Sequence, residues 1–525
     1  MFNQARRPDR HTLAQMLPAV FSARVPARFA ACCNAVLAFA SQWRVQLAVI
    51  GSALFCGVLA ATGSPVAIGA GLGAMALPYL LARPDRIVSV VIPASLATGV
   101  IVSLAGPGLT AFSWLISVLS FALLPVAIFR FVRSSGQPVF LWLALAFLVY
   151  CLLVTLVQWV TLEQLVAGTK RYFQGYGVLF ALVTSLHAVR YVPRWKRALL
   201  VLAFVQLPFA LYEFVVLVPM RGGLDAGGEA TDVVAGTFGA NLEGGSANAE
   251  MSAFLLIVLM FLLTAWRLRT VGRRRLCWMG LLCLAPLALG ETKIVVVLLP
   301  MMIFTMLRKE IAVNPRKLLG GSAVCIVLTL VLGYLYITVM DRNTVADAFH
   351  LVTEYNVGQV GYGGNLLNRM TALTFWWDRH DLSDPLHFLF GHGIGSAFWG
   401  DNSPLPGHIA VMHPNYGIGL TTAATLLWDI GLVGLIFHGA IFVAAWFSAN
   451  RVWNKRRGTW AGQDALAVQA ALACFLVFIF YRDSGVNLLA YEVVVACVLG
   501  YLGFLAAGQE THGAARPHAA RSHFP

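Results

Sequence analysis

Long hydrophobic runs separated by short polar segments make up most of the chain. A membrane-spanning helix needs about 20 apolar residues in succession, and the short alternation typical of an outer-membrane barrel is absent. The pattern therefore predicts an all-α polytopic membrane protein with about 14 transmembrane helices. The candidate spans lie at about 46–62, 66–82, 88–105, 110–129, 138–159, 173–189, 198–219, 249–266, 276–290, 294–307, 318–340, 421–447, 463–480 and 488–507.

The two candidate spans around Glu291-Thr292-Lys293 are short, so one long helix over 276–307 is an alternative. Basic residues flank this stretch on both sides, at 267–275 and at 308–317. Because Lys and Arg concentrate on the cytoplasmic side of a membrane, both flanks are predicted to be cytoplasmic. The chain should therefore cross the membrane and return, with the break on the outer side.

The distribution of basic residues predicts the orientation of the whole chain. With both termini in the cytoplasm, 29 of the 37 Lys and Arg residues fall on the cytoplasmic side, as expected for a bacterial inner-membrane protein. Topology does not explain the other eight, which fall outside or at the outer surface. These are Lys170, Arg171, Arg221, Lys293, Arg342, Arg369, Arg379 and Arg482.

The predicted organisation has five parts. They are a basic cytoplasmic arm at 1–45, eleven transmembrane helices within 46–340, a large periplasmic loop at 341–420, three transmembrane helices within 421–507 and a disordered cytoplasmic tail at 508–525. We expect any active site to lie in the periplasmic loop, which is the longest stretch that cannot span a membrane.

The composition excludes a soluble domain and gives no indication of a cofactor. Hydrophobic residues make up 59% of the chain and charged residues 11%, against about 25% charged in soluble domains. The net charge of +14 is explained by basic cytoplasmic loops, so no nucleic-acid partner is expected. The nine cysteines include no CxxC pair, so the sequence supports neither a disulfide framework nor a zinc–cysteine site.

The loop at 341–420 is rich in histidine but not in positive charge. It holds six of the 12 histidines, and its seven acidic and three basic residues give a formal charge of −4. His380, His387, His392 and His408 show no recognised metal-binding spacing; a metal site is an alternative, but none is predicted. An anionic substrate would therefore depend on particular cations.

Three residues suit a substrate that carries anionic and hydroxyl groups at the outer membrane surface. His413 directly precedes a span, where an imidazole can orient a hydroxyl or accept its proton near neutral pH. Arg369 lies in an amphipathic segment and is either an interfacial arginine or a cation for an anionic group. Lys293 is either a snorkelling or hairpin-capping lysine or a cation of the same kind.

Glycine-rich segments and buried acids complete the set of candidate features. Residues 390–396 contain GxGxG without a strand–turn–helix unit, so a flexible turn is predicted rather than a dinucleotide site. The Gly-rich segment at about 221–252 predicts a flexible connection. Glu213, Asp429 and Glu492 fall in candidate spans, where they either line one outer cavity or hydrogen-bond to a neighbouring helix.

A series of short motifs follows the Gly-rich turn. His-Pro-Asn at 413–415 comes first, and Asp429 then precedes Gly431 and Gly434 at the entrance to a span. Further upstream, GTFG at 236–239 is followed by Asn248 ahead of a span, and Arg369 lies some twenty residues before the Gly-rich turn.

Over roughly 220–440 these motifs resemble the O-antigen ligase and polymerase superfamily of bacterial inner-membrane proteins. Two positions depart from its pattern. The Ser-Arg-Gly of the family is Glu-Thr-Lys at 291–293, and the Arg that precedes GTFG is missing, with Arg221 as a distant substitute.

The resemblance implies transfer of glycan from an undecaprenyl-diphosphate carrier at the periplasmic face, without a cofactor or metal. It implies catalytic roles for His413 and Arg369, and diphosphate binding by Lys293, Arg369 and Arg221. The candidate glycan contacts are Asn248, Asn415, Asp429, Trp376 and Trp377. The implied partners are the lipid-linked oligosaccharide, a glycan or lipid A–core acceptor and membrane lipid, with polysaccharide-export proteins as further candidates.

Within this resemblance we expect a polymerase that joins lipid-linked repeat units of a surface polysaccharide by inverting transfer to a sugar hydroxyl. A ligase that transfers finished glycan to lipid A–core is an alternative, because the two differ only in the acceptor. A transporter or flippase of lipid-linked glycans is a more distant alternative, since it predicts repeat symmetry and charges deep within the spans. A non-catalytic scaffold is the remaining possibility.

Overall fold

The computed structural model describes residues 84–105, 111–134, 136–185, 192–222, 233–242, 246–290, 292–311, 364–380, 383–399 and 406–507, with isolated positions at 51, within 316–334 and within 353–361. Every regular element in these residues is a helix, which confirms the all-α prediction. The chain divides into two units, 1–82 and 83–525, and all the elements described below lie in the second.

The helices follow one another with short connections. Before the outer loop they are α1 (Pro84–Leu96), α2 (Thr98–Ala105), α3 (Ala111–Arg133), α4 (Val139–Val157), α5 (Leu162–Phe173), α6 (Tyr176–Ser185), α7 (Val192–Tyr212, continued by a π-helical turn at Glu213–Leu217 and a last turn at Val218–Arg221), α8 (Asn248–Arg267), α9 (Arg273–Leu289) and α10 (Val295–Ile311). From the outer loop onward they are α11 (Arg369–Arg379), α12 (Pro385–Phe390), α13 (His408–Met412), α14 (Thr422–Lys455), α15 (Trp460–Tyr481), α16 (Ser484–Asn487) and α17 (Leu489–Ala506).

Seven of the described helices are long and apolar enough to cross a membrane. They are Phe112–Arg133, Val139–Val157, Arg194–Met220, Asn248–Arg267, Thr422–Lys455, Trp460–Tyr481 and Leu489–Ala506. The spans predicted at 46–62, 66–82 and 318–340 lie outside the described residues, apart from isolated positions. The total of about 14 spans and their orientation remain predictions.

One predicted span is divided between two helices, and the predicted break between the spans at 276–290 and 294–307 is observed. The run at 88–105 is divided between α1 and α2, which meet at Ala97. The chain is interrupted between the end of α9 at Leu289 and the start of α10 at Val295, so 276–307 is not one continuous helix.

Three helices form the centre of the bundle of candidate membrane-spanning helices. In the most apolar windows of α8, α15 and α17, 83%, 72% and 83% of the residues are buried within the protein. Helix α8 packs on α9 and α15, α15 packs on α10 and α14, and α17 packs on α6. Because α3, α4, α7 and α14 are at most 39% buried in their windows, they lie nearer the periphery, where lipid would cover their apolar side chains.

Local sequence explains several helix starts. Thr161, Thr421 and Thr459 each accept a hydrogen bond at their hydroxyl from a backbone N–H in the first turn of the helix that follows. Asn368 caps α11 in the same way, and the Thr371 hydroxyl accepts from the Asn368 N–H to complete a capping box. This cap places Arg369 at the first helical position.

Candidate functional site

The described part of the loop at 341–420 folds around its own hydrophobic core, although its sequence is polar. Its buried members are Trp376, Phe388, Ala397, Ile409, Ala410, Ile418, Leu427 and Trp428. Trp428 belongs to the first segment of α14, so the loop and a candidate span share this core.

The two neighbouring tryptophans of α11 have opposite environments. Trp376 is 2% exposed and its ring stacks on Phe388 with centroids 5.2 Å apart, so its contact with glycan, which stays a prediction, would require this core to open. It is a core residue because its face of α11 points toward Trp428. Trp377 is 63% exposed and remains a candidate for glycan contact.

Helix α14 bends sharply where it meets the Gly-rich turn. Gly431 has φ 69° and ψ −172°, a conformation that L residues with a Cβ rarely adopt. A Cβ on Gly431 would lie 2.3 Å from the Leu389 carbonyl carbon, and one on Gly391 would lie 2.5 Å from the Asp429 carbonyl carbon. The two glycines therefore allow the backbones of the turn and of α14 to touch.

Asp429 is fully buried beneath this turn and accepts four hydrogen bonds. Its Oδ1 accepts from the Ser396 hydroxyl and the Ala397 N–H, and its Oδ2 accepts from the Tyr172 hydroxyl and the Gly395 N–H, all within 2.6–2.8 Å. The turn is thus an ordered structure rather than a flexible one. Both carboxylate oxygens are already used, so Asp429 has a structural role, and its contact with glycan, which stays a prediction, would require a change of partners.

Arg369 is 8% exposed and points from α11 to the end of α15. Its Nε donates to the Tyr481 carbonyl at 2.8 Å, and its Nη1 donates to Asn356 Oδ1 at 2.8 Å. The guanidinium carbon also lies 4.4 Å from the centre of the Tyr481 ring. These contacts hold the charged group in one orientation at the predicted outer side of the bundle.

Arg482 follows directly and was not among the predicted site residues. Its Nε donates to Glu250 Oε1 at 3.2 Å, and its Nη2 donates to the Ser246 carbonyl at 2.7 Å. The neighbouring Asp483 carboxyl is buried, which raises its pKa, while the Arg482 charge opposes this increase. The signal in the sequence was that Arg482 is one of the eight basic residues that topology does not explain.

Residues 233–238 and 246–250 are buried, which corrects the prediction of a flexible connection for these parts of 221–252. Glu213 Oε2 accepts hydrogen bonds from the Ala235 and Gly236 N–H groups at 2.8 and 2.7 Å. Gln206 Oε1 accepts from the Thr237 N–H at 2.9 Å. The acidic and amide side chains of α7 therefore supply the hydrogen bonds that this glycine-rich turn cannot make internally.

The same segment connects the GTFG motif to Arg482. The Ala247 N–H donates to the Gly239 carbonyl at 3.2 Å, one residue from the Ser246 carbonyl that binds Arg482. Asn248 is buried, and its Nδ2 donates to the Gly290 carbonyl at 3.1 Å, so its candidate contact with glycan would require a change of partner.

Lys293 lies in the break between α9 and α10. The Ser252 hydroxyl of α8 donates to the hydroxyl of the neighbouring Thr292 at 2.9 Å, and Lys293 itself is half-buried. The predicted diphosphate-binding residues Lys293 and Arg369 thus belong to segments that meet around α8 and Arg482. The side chain of the third, Arg221, lies outside the described residues.

His413 contacts α11 through the Phe375 ring. Its ring centroid is 5.3 Å from that of Phe375 and 5.8 Å from that of Trp428. Partial burial lowers the pKa of His413, and the charge of Arg379 lowers it further, so the imidazole is neutral at neutral pH. A neutral imidazole can accept a proton from a hydroxyl group.

The backbone on either side of His413 is paired with the start of α11. The Leu366 N–H donates to the Asn415 carbonyl at 2.8 Å, and the Leu367 N–H donates to the Tyr416 carbonyl at 3.1 Å. Asn415 has φ 64°, and its side chain is exposed, so it remains a candidate for glycan contact. His413 and Arg369 are therefore parts of one folded unit.

Two further cations lie on α5: Arg171 contacts the loop, and Lys170 contacts α3. The guanidinium carbon of Arg171 lies 3.1 Å from the centre of the Phe398 ring, and Lys170 Nζ lies 5.3 Å from that of Trp114. Burial lowers the pKa of Arg171 to about 10, against the opposing effect of Asp429, so it stays charged at neutral pH. Burial also lowers the pKa of Lys170.

Neither a scan against protein-family models nor a search of curated proteins finds a match to this chain.

Proposed function

We propose that this chain is an inverting glycosyltransferase of a bacterial inner membrane that polymerises a surface polysaccharide. The donor would be an oligosaccharide on undecaprenyl diphosphate, and the acceptor a sugar hydroxyl at the periplasmic face. The proposal rests on the resemblance of the motifs between about 220 and 440 together with the arrangement of cations in the folded chain.

The observation that carries the proposal is the meeting of Arg369 and Arg482 at one turn. Arg369 donates to the Tyr481 carbonyl, and Arg482 is the next residue. Arg482 pairs with Glu250 at 3.2 Å, and we propose that the two guanidinium groups together face the anionic group of the donor. Fixed guanidinium groups in a site of low dielectric stabilise developing negative charge strongly, because they need no reorganisation during the reaction.

The chemistry follows from these groups. The acceptor oxygen would attack the anomeric carbon of the donor sugar while the bond from that carbon to the diphosphate oxygen breaks. His413 would take the hydroxyl proton, and the electron pair of the broken bond would leave on the diphosphate, whose charge Arg369 and Arg482 would stabilise. Attack opposite the leaving group inverts the anomeric centre, and the two guanidinium groups supply the charge that the leaving group requires.

The hydrocarbon part of the donor needs an apolar surface next to the cations. The described bundle contains a cavity between α4, α6, α14, α15 and α17, lined mainly by apolar and aromatic side chains such as Phe147, Phe475 and Phe478. Thr422 and Gly485 also line it, and Thr422 donates to the Arg482 carbonyl at 2.7 Å. A lipid chain in this cavity would therefore lie close to the turn that carries Arg482.

Deletion of the gene in its host, followed by analysis of lipid-linked glycans, tests the proposal. Accumulation of single repeat units on the carrier is expected for a polymerase. Full-length polymer retained on the carrier would instead indicate a ligase that uses lipid A–core or another acceptor. Substrate confined to the inner leaflet would indicate a flippase and would overturn the proposal.

A further inference from the structure

Four histidines that are scattered in the sequence form a cluster around His392. The ring centroids of His380, His387 and His408 lie 5.3, 4.3 and 6.3 Å from that of His392. The four residues come from the end of α11, from α12, from the Gly-rich turn and from the start of α13. The fold therefore brings four separate loop segments together through imidazole groups.

Three of these imidazoles are held by an acceptor at Nδ1. His380 Nδ1 contacts the Trp376 carbonyl at 3.0 Å, His408 Nδ1 contacts Gln164 Oε1 at 2.9 Å, and His387 Nδ1 contacts Asp384 Oδ2 at 2.5 Å. Because each partner is an acceptor, the ring proton lies on Nδ1 and the lone pair on Nε2. This is the arrangement in which proteins hold metal-binding histidines, since it fixes the tautomer and the orientation of the ring.

The distances identify which histidines suit one ion. His380 Nε2 and His392 Nε2 lie 3.0 Å apart. Two imidazoles bound to one tetrahedral zinc ion have ring centroids about 5 Å apart, given a zinc–nitrogen distance of about 2.0–2.1 Å. The His380–His392 separation of 5.3 Å agrees with this, and the His392–His408 separation of 6.3 Å is about 1 Å too long.

His387 differs from the other three. Its ring is stacked on that of His392 with an interplanar angle of 16° and a centroid separation of 4.3 Å, too close for two ligands of one ion. It covers the cluster rather than completing it. Within the residues that the structure describes, no three His, Cys, Asp or Glu side chains already stand in the geometry of a metal site. A bound ion would therefore draw His408 inward.

We propose that His380, His392 and His408 bind one divalent transition-metal ion of the zinc type, which ties α11, the Gly-rich turn and α13 together. Imidazole nitrogen is a suitable ligand for Zn²⁺, and a water molecule could supply a fourth position. On binding, the ring proton of His392 moves from Nε2 to Nδ1, so that neutral imidazole presents its Nε2 lone pair to the ion. The ion stabilises the loop and takes no part in the glycosyl transfer proposed above.

The test is a direct measurement of metal binding by the full chain, purified in detergent without a polyhistidine tag and treated with a chelator. Isothermal titration with Zn²⁺ is expected to show one ion per chain with a Kd below about 1 µM, and Co²⁺ is expected to give the visible absorption of a four-coordinate site. A chain that binds neither ion overturns the proposal.

Variants distinguish the three ligands from their neighbours. His392→Asn and His408→Gln are expected to weaken Zn²⁺ binding by at least about 100-fold, and Gln164→Ala by about 10- to 100-fold through loss of the acceptor at His408 Nδ1. His387→Asn is the matched control and should keep the one-ion stoichiometry. Unchanged affinity in His408→Gln and Gln164→Ala, each checked for folding by circular dichroism, would overturn the proposal even if His392→Asn fails to fold.

Discussion

Ser396 donates its hydroxyl hydrogen to Asp429 Oδ1 across 2.7 Å and so joins the Gly-rich turn to the first segment of α14. The two residues are 33 positions apart, the stretch between them includes α13 and the motif at 413–415, and this contact closes that part of the chain into one unit. Because Asp429 also accepts from Tyr172 of α5, the same carboxylate fixes the loop to the bundle. The position of His413 therefore depends on a residue that does not contact it.

Asp429→Asn should destabilise the loop strongly. An Asn side chain presents an NH₂ group to two of the four donors that now face the carboxylate, and hydrogen bonds to a buried charged group contribute about 1.5–3 kcal/mol each. We expect a loss of about 2–4 kcal/mol in the free energy of unfolding. Thermal unfolding in detergent measures this loss, and Asp378→Asn, a change at an exposed acid of α11, is the control. Equal melting temperatures for the two variants would contradict the structural role of Asp429.

Arg369→Ala should abolish glycan transfer while leaving the amount of protein in the membrane unchanged. The variant loses the guanidinium group that we propose to stabilise the leaving diphosphate, and removal of one such group typically costs about 10²–10³ in rate. Arg369→Lys keeps a charge but loses the planar fork, so an intermediate rate is expected. Transfer of radiolabelled repeat units in proteoliposomes gives the rates.

Arg379→Gln is the matched control for Arg369 because it removes an exposed cation from the other end of the same helix. The Arg379 guanidinium carbon lies 5.0 Å from the Phe375 ring, and its loss should leave the rate at pH 7.5 close to that of the wild type. Similar rates for Arg369→Ala and Arg379→Gln would argue against a specific role for Arg369.

Variants of the Arg482–Glu250 pair should distinguish an effect on stability from an effect on glycan transfer. The two side chains are 16% and 2% exposed, so Arg482→Ala leaves a buried carboxylate without its partner, at a cost of about 3–5 kcal/mol. Replacing both residues by Met should recover most of the lost stability, because a buried pair can often be exchanged for apolar residues at little cost. We expect the double variant to fold but not to transfer glycan. Measurable transfer by a stable double variant would remove Arg482 from the proposed site.

The helices could be predicted from the sequence because lipid imposes a simple rule. A run of about 20 apolar residues predicts a span whatever its neighbours are, and α3, α4 and α8 match such runs closely. The break around Thr292 was also predictable, since basic residues on both flanks required the chain to return. These features depend on local sequence alone.

The site was less predictable because its contacts join distant residues. Nothing near Arg482 in the sequence indicates that Arg369, 113 positions earlier, donates to the adjacent carbonyl. Trp376 and Trp377 are identical in sequence terms, yet only one is buried, because the direction of each side chain on α11 depends on the core around Trp428. Contacts between residues that are distant in the sequence are seen only in the folded structure.

The rate of transfer should fall on the acid side of pH 6.5. His413 must be neutral to accept a proton, and its pKa is lowered from the ordinary value of 6.5 by burial and by Arg379. The midpoint of this decrease in the wild-type rate should therefore lie below pH 6.5. Removing the positive charge in Arg379→Gln should raise the pKa of His413 and move this decrease to higher pH. A decrease that moves to lower pH, or does not move, would contradict the proton-accepting role of His413.

The bend in α14 should depend on Gly431 rather than on glycine content in general. Gly431 has φ 69°, and a Cβ there would lie 2.3 Å from backbone atoms of Leu389, so Gly431→Ala forces a strained backbone and a steric overlap. We expect a loss of more than about 2 kcal/mol in the free energy of unfolding. Gly439→Ala is the matched control, because Gly439 lies in the same helix and a Cβ there meets nothing within 4 Å. Alanine is the better helix former by about 0.5–1 kcal/mol, so Gly439→Ala should melt at or above the wild-type temperature, whereas a similar melting temperature for both variants would show that the bend does not need Gly431.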